Sequence, residues 1–381
     1  HRAVTAGSEP HRVHSLDAGR YGATPGEPLM DLAPRDQRTQ DGLSRRFRHF
    51  AAFECRGYSS LYDHLSVAIS DDRELLEMAS HANQGQPIPN LFLAAAHRLV
   101  FANSFHEVAR YYQSVSDGPV PGDDPFPAFK EFCMGHRDQM LELLGSKRVQ
   151  TNEVGRCAYL LSAFSLIARH SGMPLALVDV GASAGLNLLF DRYHYSYSNG
   201  LEYGPTDSKV QLTAEVRGDF FPDLAEGMPA VARRTGIDLT PVDLSDIETL
   251  MWMRSLVWPD HPERMARLNG AASIALADPP ELIEGDALDL APGILDTSPH
   301  DAAPCVLACH VLNQLTPEGR KRFWAIVEDA SQHRAVYSVT AEAGKIAVNV
   351  CHGSVWRSIG AAAADPHGWW VEWQNVDAAP R

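Results

Sequence analysis

Several signatures of common protein classes are missing from this chain, and each omission removes a function. The six cysteines, Cys55, Cys133, Cys157, Cys305, Cys309 and Cys351, form no C-x-x-C pair. That disfavours disulfide frameworks, zinc ribbons and redox pairs, and the apolar neighbours of each thiol fit reduced core cysteines in a cytoplasmic protein. No run approaches the roughly 18 apolar residues of a membrane span, and no basic-then-apolar leader opens the sequence, so we expect no anchor and no export. The chain begins at His1, which leaves an upstream start open. Excess positive charge is absent too: Lys+Arg 33 against Asp+Glu 48 gives a net charge of −15. A field of that sign repels phosphate backbones and anionic bilayers. The densest basic runs, Arg45-Arg46-Phe47-Arg48 and Arg320-Lys321-Arg322, are short and read as solvated faces. Neither nucleic acid nor a membrane is therefore an expected partner, which leaves a small-molecule substrate. The 17 histidines include no H-E-x-x-H, and no metal is expected. A G-x-x-x-x-G-K-[ST] phosphate loop and a full G-x-G-x-x-G dinucleotide fingerprint are also missing.

What is present is a chain of 381 residues, 45% hydrophobic, long enough for two packed lobes or one enlarged α/β domain. Residues 1–37, rich in Gly, Pro, Ser and His without an apolar period, read as a loosely ordered arm. Residues 38–150 read as an all-helical lobe, in which Pro89-Asn90 opens a helix through Leu91 to Ala96 and Pro127 opens another through Met140 and Leu144. A further helix from Thr151-Asn152-Glu153 buries Cys157, Leu160, Leu161, Phe164 and Ile167 on one stripe, keeps its far face polar and ends at Gly172. The period then changes. Leu175 to Val180 is a nearly continuous apolar run, followed by a glycine turn and an apolar helix from Leu186 to Phe190. Further strands are expected at 210–216, 236–242, 281–285, 305–309, 335–341, 346–350 and 369–373, the last two as a possible antiparallel pair. Residues 151–381 thus read as an α/β, Rossmann-like domain with a mainly parallel sheet covered on both faces.

The turn Asp179-Val180-Gly181-Ala182-Ser183-Ala184-Gly185 fits two motifs with different chemistry. As D-x-G-x-x-x-G it is the first strand-to-helix turn of a class I methyltransferase-type site for S-adenosyl-L-methionine, where missing side chains let the cofactor approach the backbone. Asp179 then orders the loop and meets the methionine end, with Gly181, Ala182, Ser183, Gly185 and Asn187 along the cofactor. As G-x-S-x-G it is a nucleophile elbow presenting Ser183, with Asp286 and His310 or His352 following in hydrolase order. Context separates the two. An elbow follows several strands and an H-G-G-type oxyanion loop, whereas everything upstream here reads as helical. A methyltransferase site also needs an acidic residue after the second strand for the ribose, and often one after the third near the adenine. Asp238 in Gly236 to Pro241 supplies the first, with Glu215 as a substitute, and Asp286-Ala287 supplies the second. Each fragment alone is an ordinary turn or cap. Their order makes the pattern specific.

In such a sheet the residues just after the first four strands converge. Cys309 falls beside the cofactor there, His310 is the candidate general base and Asn313 its catalytic neighbour, against the simpler explanation of a hydrogen-bonded structural histidine. Asn152, Glu153 and Arg156 gather at one helix start and are expected to hold the methionine carboxylate or the substrate, unless Glu153 and Arg156 only pair along the helix. Trp252, Trp258 and His261 form an aromatic wall over the cofactor or else fill a core. The resulting expectation is methyl transfer to O or N of a small-molecule acceptor. Its alternatives are a serine hydrolase using Ser183 and a non-catalytic protein that retains the cofactor.

Three segments also carry a resemblance: Arg148 through Cys157, Val178 through Asn187 with Asp191-Arg192-Tyr193, and Leu256-Val257-Trp258-Pro259. Over about residues 45 to 345 the chain resembles a bacterial family catalogued as domain of unknown function 2332. The sheet of that family resembles that of class I S-adenosylmethionine-dependent methyltransferases, so the resemblance implies the fold more than the reaction.

Overall fold

A computed structural model describes residues 38–224 and 227–375, and the arm expected at 1–37 lies outside the described residues. Six helices come first: α1 (Gln40–Phe50), α2 (Ser60–Ser70), α3 (Arg73–Ala79), α4 (Ile88–Ala102), α5 (Phe126–Gly135) and α6 (Arg137–Ser146). Short polar side chains start three of them, with Thr39 accepting from the Gly42 N–H, Ser59 from Tyr62 and Asp72 from Glu74 and Leu75. The segment expected as one helix after Pro127 is two, because His136 leaves helical geometry at φ −110°, ψ 26°. A π turn, Ala51–Cys55, follows α1 and leaves Phe53 and Glu54 exposed.

The expected helix before the sheet is α7 (Cys157–Ser171), entered by a 3-10 turn at Val154–Arg156 and ended by Gly172 at φ 67°. Its expected stripe is buried, but its far face is not left to solvent: Tyr159, Ser162, Ala163 and Ser165 are buried as well. The reason lies in the sheet that follows, since α7 packs against strands from both halves of it.

The remaining elements are β1 (Leu175–Val180), β2 (His194–Tyr197), β3 (Glu202–Tyr203), β4 (Gln211–Arg217), β5 (Val231–Asp238), α8 (Ile247–Leu256), α9 (Pro262–Ala277), β6 (Glu281–Glu284), α10 (Ala287–Asp296), β7 (Ala303–Cys309), α11 (Pro317–Ala330), β8 (Val336–Glu342), β9 (Lys345–His352), β10 (Val355–Ala364) and β11 (Trp370–Gln374). They build one sheet in the order β3-β2-β4-β11-β10-β9-β8-β7-β1-β5-β6. The run β6-β5-β1-β7-β8 is parallel throughout. From β8 the chain turns back through an antiparallel meander, β9, β10 and β11, and β11 then lies parallel to β4. The fold is thus α/β with a large, mostly parallel sheet. Leu175 and Leu177 of β1 face the α7 side, while Val178 and Val180 face the layer holding α10 and α11.

Four expectations need correction. The second parallel strand runs 231–238 rather than 236–242, so Asp238 ends it. The last two expected strands are not a pair, because β10 lies between β9 and β11. The strands β2, β3 and β10 were not anticipated. The apolar stretch after the glycine turn is an irregular 3-10 turn, Leu186–Arg192, broken at Leu189, rather than a regular helix. Among the described residues no helix is long and apolar enough to cross a membrane.

Candidate functional site

The strands on either side of β1 are reached by separate excursions of the chain, to β5 on one side and to β7 on the other. A crevice therefore opens at the carboxyl end of β1. It holds a cavity of about 350 Å³. From β1 and its turn come Asp179, Gly181, Ser183 and Asn187; from the ends of β5 and β6 come Asp238 and Asp286-Ala287; from β7 come Cys309 and His310. Asn152 and Arg156, at the entry to α7, complete the wall.

Hydrogen bonds knit these strand ends together. The Ser183 N–H donates to Asp238 Oδ2 at 2.8 Å, while Asp238 Oδ1 accepts from the Thr240 N–H at 2.9 Å and from Gln150 Nε2 at 3.1 Å. Asp238 is thus already the fastener between the glycine turn and the second parallel strand. Asp286 accepts from the Leu288 N–H at 2.8 Å and caps α10, and Asn152 Oδ1 accepts from the Leu186 N–H at 2.9 Å. Asn187 Oδ1 lies 3.6 Å from Cys157 Sγ. At Gly181, where φ is 76°, an added Cβ would stand 2.9 Å from Val311. Glycine there accepts the positive φ and lets Val311 pack against the turn.

Two buried polar atoms in the cavity wall have no partner among the described residues: Asp179 Oδ2 and Ser183 Oγ. The Asp179 carboxyl is pushed up to about 8, first by burial and then by the nearby Asp238, with Arg156 opposing. Arg156 donates through Nε to the Pro366 carbonyl at 3.2 Å, its one hydrogen bond among the described residues, and the rest of its guanidinium is uncommitted. His310 sits in a left-handed conformation, φ 58°, with its N–H on the Ala341 carbonyl. Burial, and then the Arg156 charge, hold its imidazole down to about 4, so it is neutral at pH 7.

The model of a family described as uncharacterized proteins conserved in bacteria, DUF2332, matches residues 44–373. The chain belongs to that family. No curated protein and no solved structure matches the chain.

In this DUF2332 protein the other expected site residues lie off the cavity. Ala182 and Gly185 shape the turn from behind: Ala182 packs against Gly236, and a Cβ on Gly185 would meet Pro280 at 2.8 Å. Asn313 is exposed outside the cavity, while its neighbour Gln314 lines it and donates Nε2 to the His310 carbonyl at 2.8 Å. Glu153 does not pair along the helix with Arg156. It is buried against Arg264 of α9, whose Nη2 lies 2.6 Å from its carboxylate. Glu215 is exposed on β4, paired with Arg217, on the opposite wing of the sheet. Trp252 packs in the core of the helical lobe with its indole N–H on the Arg148 carbonyl, and Trp258 and His261 crowd Tyr58, so none of the three covers this cavity.

Sequence reasoning passed over Gln314 and Glu342. Glu342 ends β8, and its Oε1 accepts from the Val311 and Leu312 N–H groups at 2.9 and 2.8 Å, which fixes the loop carrying His310. The strand-end rule that singled out Asp238 and Asp286 applies equally to Glu342 and could have found it. The nucleophile-elbow arrangement is not assembled here. Among the described residues Ser183 Oγ has no hydrogen-bond partner, His310 in the same cavity included, Asp286 is occupied at a helix start, and His352 ends β9, which runs antiparallel to β8 and so finishes at the opposite end of the strands.

Proposed function

We propose that this protein binds S-adenosyl-L-methionine at the carboxyl ends of β1, β5, β6 and β7 and transfers its methyl group to an oxygen or nitrogen of a small-molecule acceptor. The observation that carries the reading is the presence, in one cavity wall, of a buried carboxyl whose Oδ2 has no partner among the described residues, Asp179, and of the Arg156 guanidinium, which spends only its Nε on the Pro366 carbonyl. A free amino acid headgroup presents one ammonium and one carboxylate, and these two side chains are their complements. The remaining walls fit the rest of the molecule. The glycine turn lines the cavity, Asp238 keeps one acceptor position on Oδ2 for a ribose hydroxyl, and Asp286-Ala287 stands where an adenine edge would lie. The parallel run, numbered in chain order, reads 3-2-1-4-5, the order in which such crevices take nucleotide-like ligands, although β9 follows by a hairpin rather than a helical crossover. This supports a class I methyltransferase type of Rossmann-like domain.

Bound there, the cofactor supplies an electrophilic methyl group. The protein is left to align the acceptor, exclude water and take up a proton. His310, neutral and lining the cavity, has a free imidazole for that last task. A serine hydrolase has less support, because Ser183 has no base on its hydroxyl. Titration calorimetry with S-adenosylhomocysteine tests the proposal. Binding is expected, and the absence of heat at about millimolar ligand with the protein folded would sink it. A protein that only retains the cofactor would bind it and release no S-adenosylhomocysteine with any acceptor.

A further inference from the structure

The connector that leads from α6 to α7 runs along the cavity at the end of β1, where residues 148–152 line it together with Gln86. The helical lobe holds this connector at two points. Gln86 Oε1 accepts from the Val149 N–H at 2.8 Å, and the Trp252 indole N–H donates to the Arg148 carbonyl at 2.8 Å. Both residues before Gln150 are therefore fixed by the lobe, while the Gln150 side chain reaches across to the sheet.

Both hydrogens of that amide are spent there. Gln150 Nε2 donates to Asp238 Oδ1 at 3.1 Å and to the Thr240 carbonyl at 3.2 Å. A reversed amide would set an oxygen against a carboxylate and a carbonyl with no hydrogen between them, so these two acceptors decide which end is which. Oε1 is the end left over, an acceptor to which no described residue donates. The carboxylate beside it is nearly full. Asp238 Oδ1 takes the Thr240 N–H at 2.9 Å as well as Gln150, and Oδ2 takes the Ser183 N–H at 2.8 Å, which leaves one acceptor position, on Oδ2. A ribose presents two neighbouring hydroxyls, each a donor. One carboxylate position cannot serve both.

We infer that Gln150 is a cofactor-binding residue that shares the ribose with Asp238, one hydroxyl donating to Asp238 Oδ2 and the other to Gln150 Oε1. The inference rests on reading this cavity as the S-adenosyl-L-methionine site. The other arrangement would give both carboxylate oxygens to the sugar and displace Gln150. That exchange costs the amide its bonds to Asp238 and to Thr240, while the lobe still holds the backbone before it. Sharing keeps both bonds. It also gives the helical lobe a part in recognition, since the residue that reads one hydroxyl stands on a segment that the lobe secures.

Titration calorimetry of the wild-type protein and of Gln150→Leu with S-adenosylhomocysteine and its 2′-deoxy and 3′-deoxy forms tests this division of the sugar. The wild-type protein is expected to bind each deoxy form about threefold or more weakly than the parent. Gln150→Leu should weaken S-adenosylhomocysteine by about threefold to tenfold, yet leave unchanged the affinity for the one deoxy form that lacks the hydroxyl held by Oε1. Gln150→Ala should repeat the pattern, which separates a lost bond from a leucine clash. Equal weakening of all three ligands marks a structural residue, unchanged affinity for S-adenosylhomocysteine removes the contact, and tighter binding means that Gln150 only competes for Asp238. Each of these overturns the inference and leaves the cofactor reading in place. Equal binding of the three ligands by the wild-type protein overturns it without any variant. Absence of heat from S-adenosylhomocysteine and the wild-type protein at about millimolar ligand instead removes the cofactor reading, and Gln150 with it.

Discussion

At Asp179 the chain buries a carboxyl whose Oδ2 has no partner, a state that costs free energy in the unliganded protein. Its ordinary value is 3.8 and its folded value about 8. Between these the folded carboxyl holds a proton that the unfolded one has released, so this residue's contribution to stability is full below pH ~4 and is lost as pH rises through ~8. A ligand ammonium favours the ionised form, so binding of S-adenosylhomocysteine at pH 7 should release a proton. Calorimetry in buffers of different ionisation enthalpy measures it. Asp179→Asn should leave the melting temperature unchanged or raise it at pH 8, and weaken S-adenosylhomocysteine by about tenfold or more. His310 has the opposite sign. Its folded value of about 4 lies below the ordinary 6.5, so its contribution is present above pH 6.5 and is lost as pH falls through 4. If it takes the acceptor's proton, His310→Ala should lower turnover by about 10²–10⁴-fold with cofactor affinity nearly intact. A joint fall of melting temperature, affinity and turnover would instead mark a structural residue.

The segment Asn152-Glu153-Val154-Gly155-Arg156 acts as one element, and each side chain in it has a separate task. Asn152 caps the 3-10 turn at Leu186, Glu153 anchors to α9, Val154 is buried, and Arg156 lines both the cavity at the end of β1 and a neighbouring one walled by Tyr58, Trp258 and His367. Gly155 is bare because a Cβ there would lie 2.1 Å from the His367 carbonyl oxygen. Gly155→Ala must push away the loop between β10 and β11, which also carries the Pro366 carbonyl that holds Arg156. Urea unfolding should show a loss of about 1–3 kcal/mol, and a change within about 0.3 kcal/mol would contradict the contact. This segment was legible in the sequence as a cluster of polar groups, but the task of each residue was not, since their partners lie far along the chain. The parallel strands β1 and β7 were legible to within a residue or two because strands buried on both faces are nearly continuous apolar runs. β5 was displaced toward its end because Arg233 and Arg234 interrupt that run, their guanidinium groups leaving to Glu281 and Asp191. β10 was missed because its inner half is Gly360 and four alanines. A Cβ at Gly360 would come 2.8 Å from Leu166 of α7 and 3.0 Å from Trp373, so close packing there demands small residues without strand character. The site turn, Asp238 and Asp286 were legible because strand ends follow chain order, whereas Gln314 sits on a loop that no period marks.

Across the whole molecule, the helical lobe and the sheet domain meet at buried groups as well as at apolar surface. The core of the lobe takes in Trp252 and Leu256 from α8, so the lobe closes only once the chain has passed through the sheet and returned. Beside that contact Tyr58 of the lobe, Glu153 at the entry to α7 and Arg264 of α9 form a chain of hydrogen bonds, with Glu153 and Arg264 each 7% exposed. Burial pushes the Glu153 carboxyl up, but Arg264, His367 and the Gly155 N–H outweigh it and hold the carboxyl below its ordinary range. Its contribution to stability is therefore present at neutral pH and is lost as pH falls through that lowered value. Replacing only the arginine, as in Arg264→Met, would strand a buried carboxylate and should cost about 3–5 kcal/mol, more than the pair itself contributes. Adding Glu153→Gln removes the stranded charge. The double variant should therefore recover a large part of that loss, giving a strongly favourable coupling in a double-mutant cycle read by urea unfolding. If the two substitutions instead add, the ion pair does not join the lobes as a unit, and apolar packing around Trp252 and Leu256 carries the junction alone.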